Sequence, residues 1–294
     1  MKIVVPSYYE AFKCIADRCQ HSCCVGWEID IDEESLERFS QVKGELGERL
    51  KANIRDGHFV LDEKERCPFL NQRGLCDLII GLGEGCLCQV CADHPRFRTF
   101  FSDRTEIGLG LCCEAAGALI LGREEPMTLI ALEGEETLTD EELAFLATRE
   151  TLFAMAQNRE LPFEKRFSQL KGLCDFSEMP PAYWQEVYRG LERLDPSWDS
   201  TLDTLNGEDS SAPLPDTLWE QLLVYFLYRH LYNGPLGEQL AFCLLSVQMI
   251  RWLYLKGGQS GLQALVEIAR QYSAEIEYSD ENIDELVFCE RGTF

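Results

Sequence analysis
The densest chemistry in this chain lies between Cys14 and Trp27, where Cys14, Cys19, Cys23 and Cys24 fall within eleven residues in the spacing C-x4-C-x3-C-C. Neighbours such as Cys23 and Cys24 cannot easily bond to each other. A disulfide prefers Cα atoms roughly 5.5 Å apart, and adjacent residues across a trans peptide sit at about 3.8 Å. Thiolates packed this closely point to metal, since they are the ligands that soft iron and zinc centres select. Seven more cysteines follow before residue 114: Cys67, Cys76, Cys86, Cys88, Cys91, Cys112 and Cys113. The last three, Cys174, Cys243 and Cys289, sit in helix-like segments and read as buried apolar residues. Iron–sulfur clusters take four thiolates, and structural zinc takes four cysteines or three with a histidine. His21 and His94 stand nearest to cysteines, and His58 is further off.

Those sulfurs must be positioned by something. At 294 residues, 46% of them hydrophobic, the chain can bury a large core as one domain or two. The opening residues show no basic segment followed by an apolar one, and no apolar run reaches the roughly 18 residues of a membrane span. The expectation is a soluble, cytoplasmic protein in which cysteines are metal ligands or redox groups before they are disulfides. Net charge is −24, of which −19 falls in residues 114–294. Such acidity disfavours nucleic acid and anionic membrane, and would attract a lysine-rich protein surface.

Residues 1–31 read as irregular chain around the cysteines, ending in a short alternating strand, Trp27 to Ile31. Asp32 is placed to cap a helix from Glu33. Cys67 to Cys76 reads as a hairpin turning at Asn71 to Gly74, with a cysteine on each flank. Arg96 to Leu111 is a second hairpin, and Cys112 to Leu121 a helix. After that the pattern is helical. Thr139 with Glu142, and Thr217 with Glu220, have capping-box spacing. Residues 195–215 read as a long surface loop, followed by apolar helices over 217–232, 236–256 and 261–278. The expected fold is mainly α: a cysteine-rich, metal-binding module with short hairpins at 1–122, packed against a helical array at 123–294.

Several of these motifs together resemble the flagellin lysine-N-methylase (FliB) family. The resemblance is carried by Phe12-Lys13-Cys14, Cys19, Cys23-Cys24-Val25-Gly26-Trp27, Ile29 to Asp32, Cys67-Pro68-Phe69-Leu70, Gly74-Leu75-Cys76, Cys91 with Pro95-Arg96, and Leu111-Cys112 with Glu114-Ala115. It continues in Leu222 to Phe226, Tyr228-Arg229, and Tyr272 to Asn282. The family's cysteine pattern falls on Cys14, Cys19, Cys23, Cys24, Cys67, Cys76, Cys91 and Cys112, leaving Cys86, Cys88 and Cys113 outside it. The resemblance implies methyl transfer from S-adenosylmethionine to lysines of flagellin or another lysine-bearing protein, with a [4Fe-4S] cluster, or alternatively zinc, held by part of that set.

Methyl transfer to an amine needs the neutral amine, and holding a lysine neutral at pH 7 costs roughly 4–5 kcal/mol. An apolar, aromatic channel lowers a lysine pKa, and a base can take the leaving proton. The family-like segments offer Trp27, Tyr225 and Tyr228 as aromatics and Glu275 and Glu277 as carboxylates. Tyr225 and Glu277 are the catalytic candidates, and Trp27, Arg96 and Arg229 the cofactor-binding ones, the arginines because guanidinium matches a methionine carboxylate. Asp77 to Gly85 imitates the strand and glycine loop that open a Rossmann-like methyltransferase, but no alternating strand–helix series follows, so it reads as a glycine-rich turn. The competing reading is an iron–sulfur or zinc-binding redox or adaptor protein without methyltransferase activity.

Overall fold
A computed structural model describes residues 1–290. The chain opens on a strand, β1 (Lys2–Pro6), where the sequence reads as irregular. Val4 and Val5 are buried there, so this apolar stretch takes its hydrogen bonds from a sheet. Two compact units follow from how the chain packs: Lys13–Arg96 is one, and Met1–Phe12 with Phe97 onward is the other. The break therefore comes after Arg96, not at residue 122.

The Lys13–Arg96 unit contains α1 (Glu33–Gln41), α2 (Gly44–Asn53), the two-residue strands β2 (Ile54–Arg55) and β3 (His58–Phe59), α3 (Asp77–Leu82) and α4 (Gln89–Asp93). Asp32 caps α1, accepting from Ser35 N at 2.9 Å, and its other oxygen accepts from Gln89 N at 2.7 Å. One carboxylate thus ties the starts of α1 and α4 together. The hydrogen bond from Gln89, then that of Ser35, holds the Asp32 pKa at about 2. The core is small and aromatic: Phe39, Phe59 and Phe69 with Ile29, Ile31, Leu50 and Leu78, joined by the thiols of Cys67 and Cys88. Trp27 to Ile31 forms no strand, only an isolated bridge from Asp30 to His58. The Cys67–Cys76 hairpin likewise shrinks to one bridge, Leu70 to Cys76. Asn71 Oδ1 takes the amides of Arg73 and Leu75, competing with any ladder. The glycine-rich stretch folds as helix α3 and a turn, with no strand before it.

The second unit is mainly helical. It adds β4 (Arg96–Phe100), β5 (Arg104–Leu109), α5 (Glu114–Leu121), β6 (Leu129–Glu133), α6 (Asp140–Ala156), α7 (Phe163–Lys171), α8 (Pro181–Gly190), α9 (Ser197–Asp203), α10 (Asp216–His230), α11 (Leu236–Lys256), α12 (Leu262–Tyr272) and α13 (Asp280–Glu290). The sheet runs β4-β5-β1-β6, with β1 parallel to β5 and antiparallel to β6. Helix α10 is buried from Trp219 to His230 with no polar face, as befits a central helix. The Thr139–Glu142 capping box forms. The Thr217–Glu220 box does not: α10 begins at Asp216, and buried Glu220 is taken by Arg159 at 2.8 Å and Arg166 at 2.6 Å. The 195–215 loop is also partly helical, because Trp198, Leu202 and Leu205 are buried. The expected 261–278 helix changes pitch at Ser273–Glu277, which is a π-turn. Among the described residues no helix is long and apolar enough to cross a membrane.

Candidate functional site
Two places concentrate chemistry, one in each unit. In the helical unit, Tyr225 and Arg229 lie one turn apart on α10 and His230 follows directly; the π-turn delivers Glu277 to them. The Tyr225 hydroxyl donates to the Glu277 carboxylate, with its oxygens 2.9 and 3.0 Å away. The same hydroxyl accepts from Arg229 Nη1 at 2.8 Å and from Leu111 N at 3.2 Å. His230 Nε2 lies 2.6 Å from Glu277 Oε1, and Arg229 Nε 3.4 Å from it. A buried carboxylate needs such pairing. Burial pushes the Glu277 pKa up, but Arg229 and His230 outweigh it and hold the group below its ordinary value. Burial drives His230 the other way, to the neutral side, against the pull of Glu277. Its Nε2–H then faces Glu277, and Nδ1 has no partner among the described residues. Burial raises Tyr225 far above the usual phenol value, so it stays protonated.

Outward from this hub, Cys112 Sγ donates to the Tyr278 hydroxyl at 3.0 Å, and Tyr278 is 49% exposed. The Arg229 guanidinium is stacked between the rings of Phe97 and Tyr278, each 4.9 Å from it. Phe97 can sit there because Gly108 opposes it: a Cβ at that position would meet the Phe97 ring at 2.2 Å. Burial pushes the Cys112 thiol up to about 11.

The second place is the thiol group of the Lys13–Arg96 unit. Cys67 N donates to Cys24 O at 2.8 Å, bringing two distant segments together. Cys88 and Cys91 share a hydrogen bond, and Cys91 feels Cys24 and Cys67 as charges. Cys76 in turn feels Cys24, and Cys86 feels Cys76. The Cys23 thiol lowers Cys24 to about 7, and Cys91 lowers Cys88 to about 7. Burial raises Cys67 to about 12. Burial also lowers neighbouring His94, with Arg96 adding to it, to about 4. All fourteen cysteines are free thiols. The donor set fits thiolate-bound iron or zinc in its chemistry. Among the described residues, however, no three His, Cys, Asp or Glu side chains stand in a ligating arrangement.

Comparison with known proteins finds 23% identity over 141 residues to the lysine-N-methylases of Salmonella typhimurium and Salmonella choleraesuis. The chain is similar to the FliB family. The match takes in 43% of this chain and 34% of each of those two proteins. A flagellar biosynthetic protein, FliU of Salmonella muenchen, is 24% identical over 140 residues and is covered over 81% of its length. No family model matches, and neither does any solved structure.

Against the FliB-like pattern, the eight cysteines separate. Within the pattern, Cys91 lies in electrostatic reach of Cys24 and Cys67, and Cys76 in reach of Cys24; Cys88, outside the pattern, is hydrogen-bonded to Cys91. Cys23 reaches them through Cys24. Cys14 and Cys19 stay in local turns, the first accepting from Ala16 N and the second donating to His21 O. Cys112 belongs to the other unit. Trp27 packs on His94 at 6.1 Å, and Arg96 donates to Ala92 O at 3.3 Å. His58 Nδ1 lies 2.7 Å from an Asp30 carboxylate oxygen. Tyr225, Glu277 and Arg229 meet in one network, but Arg229 spends its guanidinium inside it. Glu275 instead accepts from Leu194 N and Asp195 N, anchoring the chain after α8. Sequence reasoning missed His230, and it counted Cys88 among the cysteines but left it outside the family's pattern. For Cys88 the signal was present, since Cys88-Gln89-Val90-Cys91 is a C-x-x-C. His230 carried no signal beyond lying in an apolar helix.

Proposed function
We propose that this chain is an S-adenosylmethionine-dependent protein-lysine N-methyltransferase acting on flagellin lysines. The observation that carries the reading is the 141-residue similarity to proteins named lysine-N-methylase. When bound, S-adenosylmethionine supplies a methyl group on a sulfonium. The chain's acidic residues draw in a lysine-bearing surface. Tyr225 and Glu277 act here as a positioning pair. Tyr225 Oη already accepts two hydrogen bonds and donates one, and Glu277 already pairs with Tyr225, His230 and Arg229. Their work is to fix Arg229 between Phe97 and Tyr278, leaving half-exposed Tyr278 as the aromatic wall that desolvates the incoming amine. A [4Fe-4S] cluster or zinc would draw its thiolates from among Cys24, Cys67, Cys76, Cys88 and Cys91, which would have to close up around it, and would order the Lys13–Arg96 unit.

Anaerobic purification, then incubation with flagellin and methyl-labelled S-adenosylmethionine, tests this by mass spectrometry of lysine peptides. Label on lysine supports the reading; saturable cofactor binding with no labelled lysine on any flagellin peptide removes flagellin as substrate. The thiol group favours a second reading, a metal-binding adaptor without methyl transfer. It predicts bound iron or zinc with no affinity for S-adenosylmethionine.

A further inference from the structure
The helical unit contains a cavity of about 520 Å³ that neither site uses. It lies between the carboxyl end of α7, the first turns of α11 and the last described turn of α13. Its apolar wall comes from Leu173, Pro235, Ala241 and Val287, and its polar groups include Asp175, Glu238 and Glu290. No basic side chain lines it among the described residues.

Glu290 decides what this cavity is for. The residue is 4% exposed. One carboxylate oxygen accepts from Ser177 N at 2.8 Å. The other, Oε1, is buried and has no hydrogen-bond partner among the described residues. A buried carboxylate oxygen without a donor is costly, and native proteins seldom leave one so. Lys171 does not answer it, because its ammonium is bound to Glu178 at 3.1 Å and lies over the Phe176 ring at 4.2 Å. Burial accordingly raises the Glu290 pKa to about 7. The cavity's volume falls in the range of small-ligand pockets.

We propose that this cavity binds a primary ammonium group, toward which the Glu290 carboxylate turns its buried Oε1, with the alkyl stem along Leu173, Ala241 and Val287. An ammonium is a donor without acceptor capacity, so it satisfies the orphan oxygen and offsets the surrounding negative charge. The alkyl stem matches the apolar wall. The assignment needs neither S-adenosylmethionine nor turnover, and stands or falls apart from the methyl-transfer reading.

Calorimetric titration of the full chain tests it with three probes: Nα-acetyl-lysine methylamide, 1,5-diaminopentane, and the uncharged Nα-acetyl-norleucine methylamide. Saturable binding of either amine, with none of the norleucine compound, is expected. The lysine amide binding better assigns the site to a peptide lysine; the diamine binding better assigns it to a free amine. Glu290→Gln should weaken binding about tenfold, the worth of one charge-assisted contact. Gly237→Leu is the second variant, since a Cβ at Gly237 meets nothing within 4 Å and its side chain would occupy the cavity. It should abolish binding with the helical circular dichroism unchanged. Equal binding of the norleucine compound, no saturable amine binding, or amine binding untouched by Gly237→Leu would each overturn the proposal.

Discussion
Glu277 answers to three partners at once, and removing its charge strands them. Glu277→Gln leaves the Arg229 guanidinium buried without a counter-charge, a loss of about 3–5 kcal/mol. Urea unfolding should show this as a lower midpoint. Tyr225→Phe removes one hydroxyl, which costs about 1–3 kcal/mol because Arg229 Nη1 and Leu111 N lose their acceptor. Under the proposed reaction, with the pair positioning and not transferring protons, Tyr225→Phe should lower the rate without shifting its pH profile. Glu290 makes the pH dependence. Its native value, about 7, lies above that of the unfolded chain, so the native state keeps the proton over the interval between them. Stability contributed by the protonated form is complete below that interval and is lost as pH rises through it, by roughly 2–3 kcal/mol. Lys171 works against this shift and Glu178 with it. The slope of unfolding free energy between pH 5 and 8 should flatten in Glu290→Gln. At this scale Tyr225, Glu277 and Arg229 were singled out because they lie in family-like segments, and the fold brings them into one network. The orphan oxygen of Glu290 was not, since an unpaired atom leaves no mark on a sequence.

Elements place these residues, and some of that placement follows from local rules. Asp32 and Thr139 cap helices as their spacing dictates. Thr139→Ala should cost about 1 kcal/mol. Glu142 also accepts from Ser102, so the tip of the β4–β5 hairpin should exchange its amides faster in that variant. Gly108→Ala should drive the Phe97 ring off Arg229, with a loss of about 1–3 kcal/mol by overpacking and a visible shift of the Phe97 ring resonances. The π-turn was illegible. Periodicity reads 261–278 as one helix, and the wider pitch at Ser273–Glu277 is what buries both Glu275 and Glu277, two residues apart. Such turns recur at functional sites. The Thr217 box failed for a tertiary reason: a buried pairing of Glu220 with two arginines outweighs a local cap.

For the whole molecule, the cysteine-poor, acidic character of the second half was readable from composition, and its helices from periodicity. The division was not, because a strand of five residues near the start belongs with residues beyond 96, and no local pattern reveals a partner a hundred positions away. Metal removal should act on one unit. If thiolates of the Lys13–Arg96 unit hold iron or zinc, a strong chelator should raise amide exchange there and leave α10 and α11 protected. Equal exchange with and without chelator would mean the thiols carry no structural metal.

The parallel pairing of Lys2–Val4 with Arg104–Glu106 bears on synthesis. A ribosome releases the early strand first, and its mate emerges only after the intervening cysteine-rich segment has been made. During those seconds Val4 and Val5 have nothing to add to. Until Arg104–Leu109 is made, those two valines stay uncovered, which makes the early strand an exposed apolar edge on the growing chain.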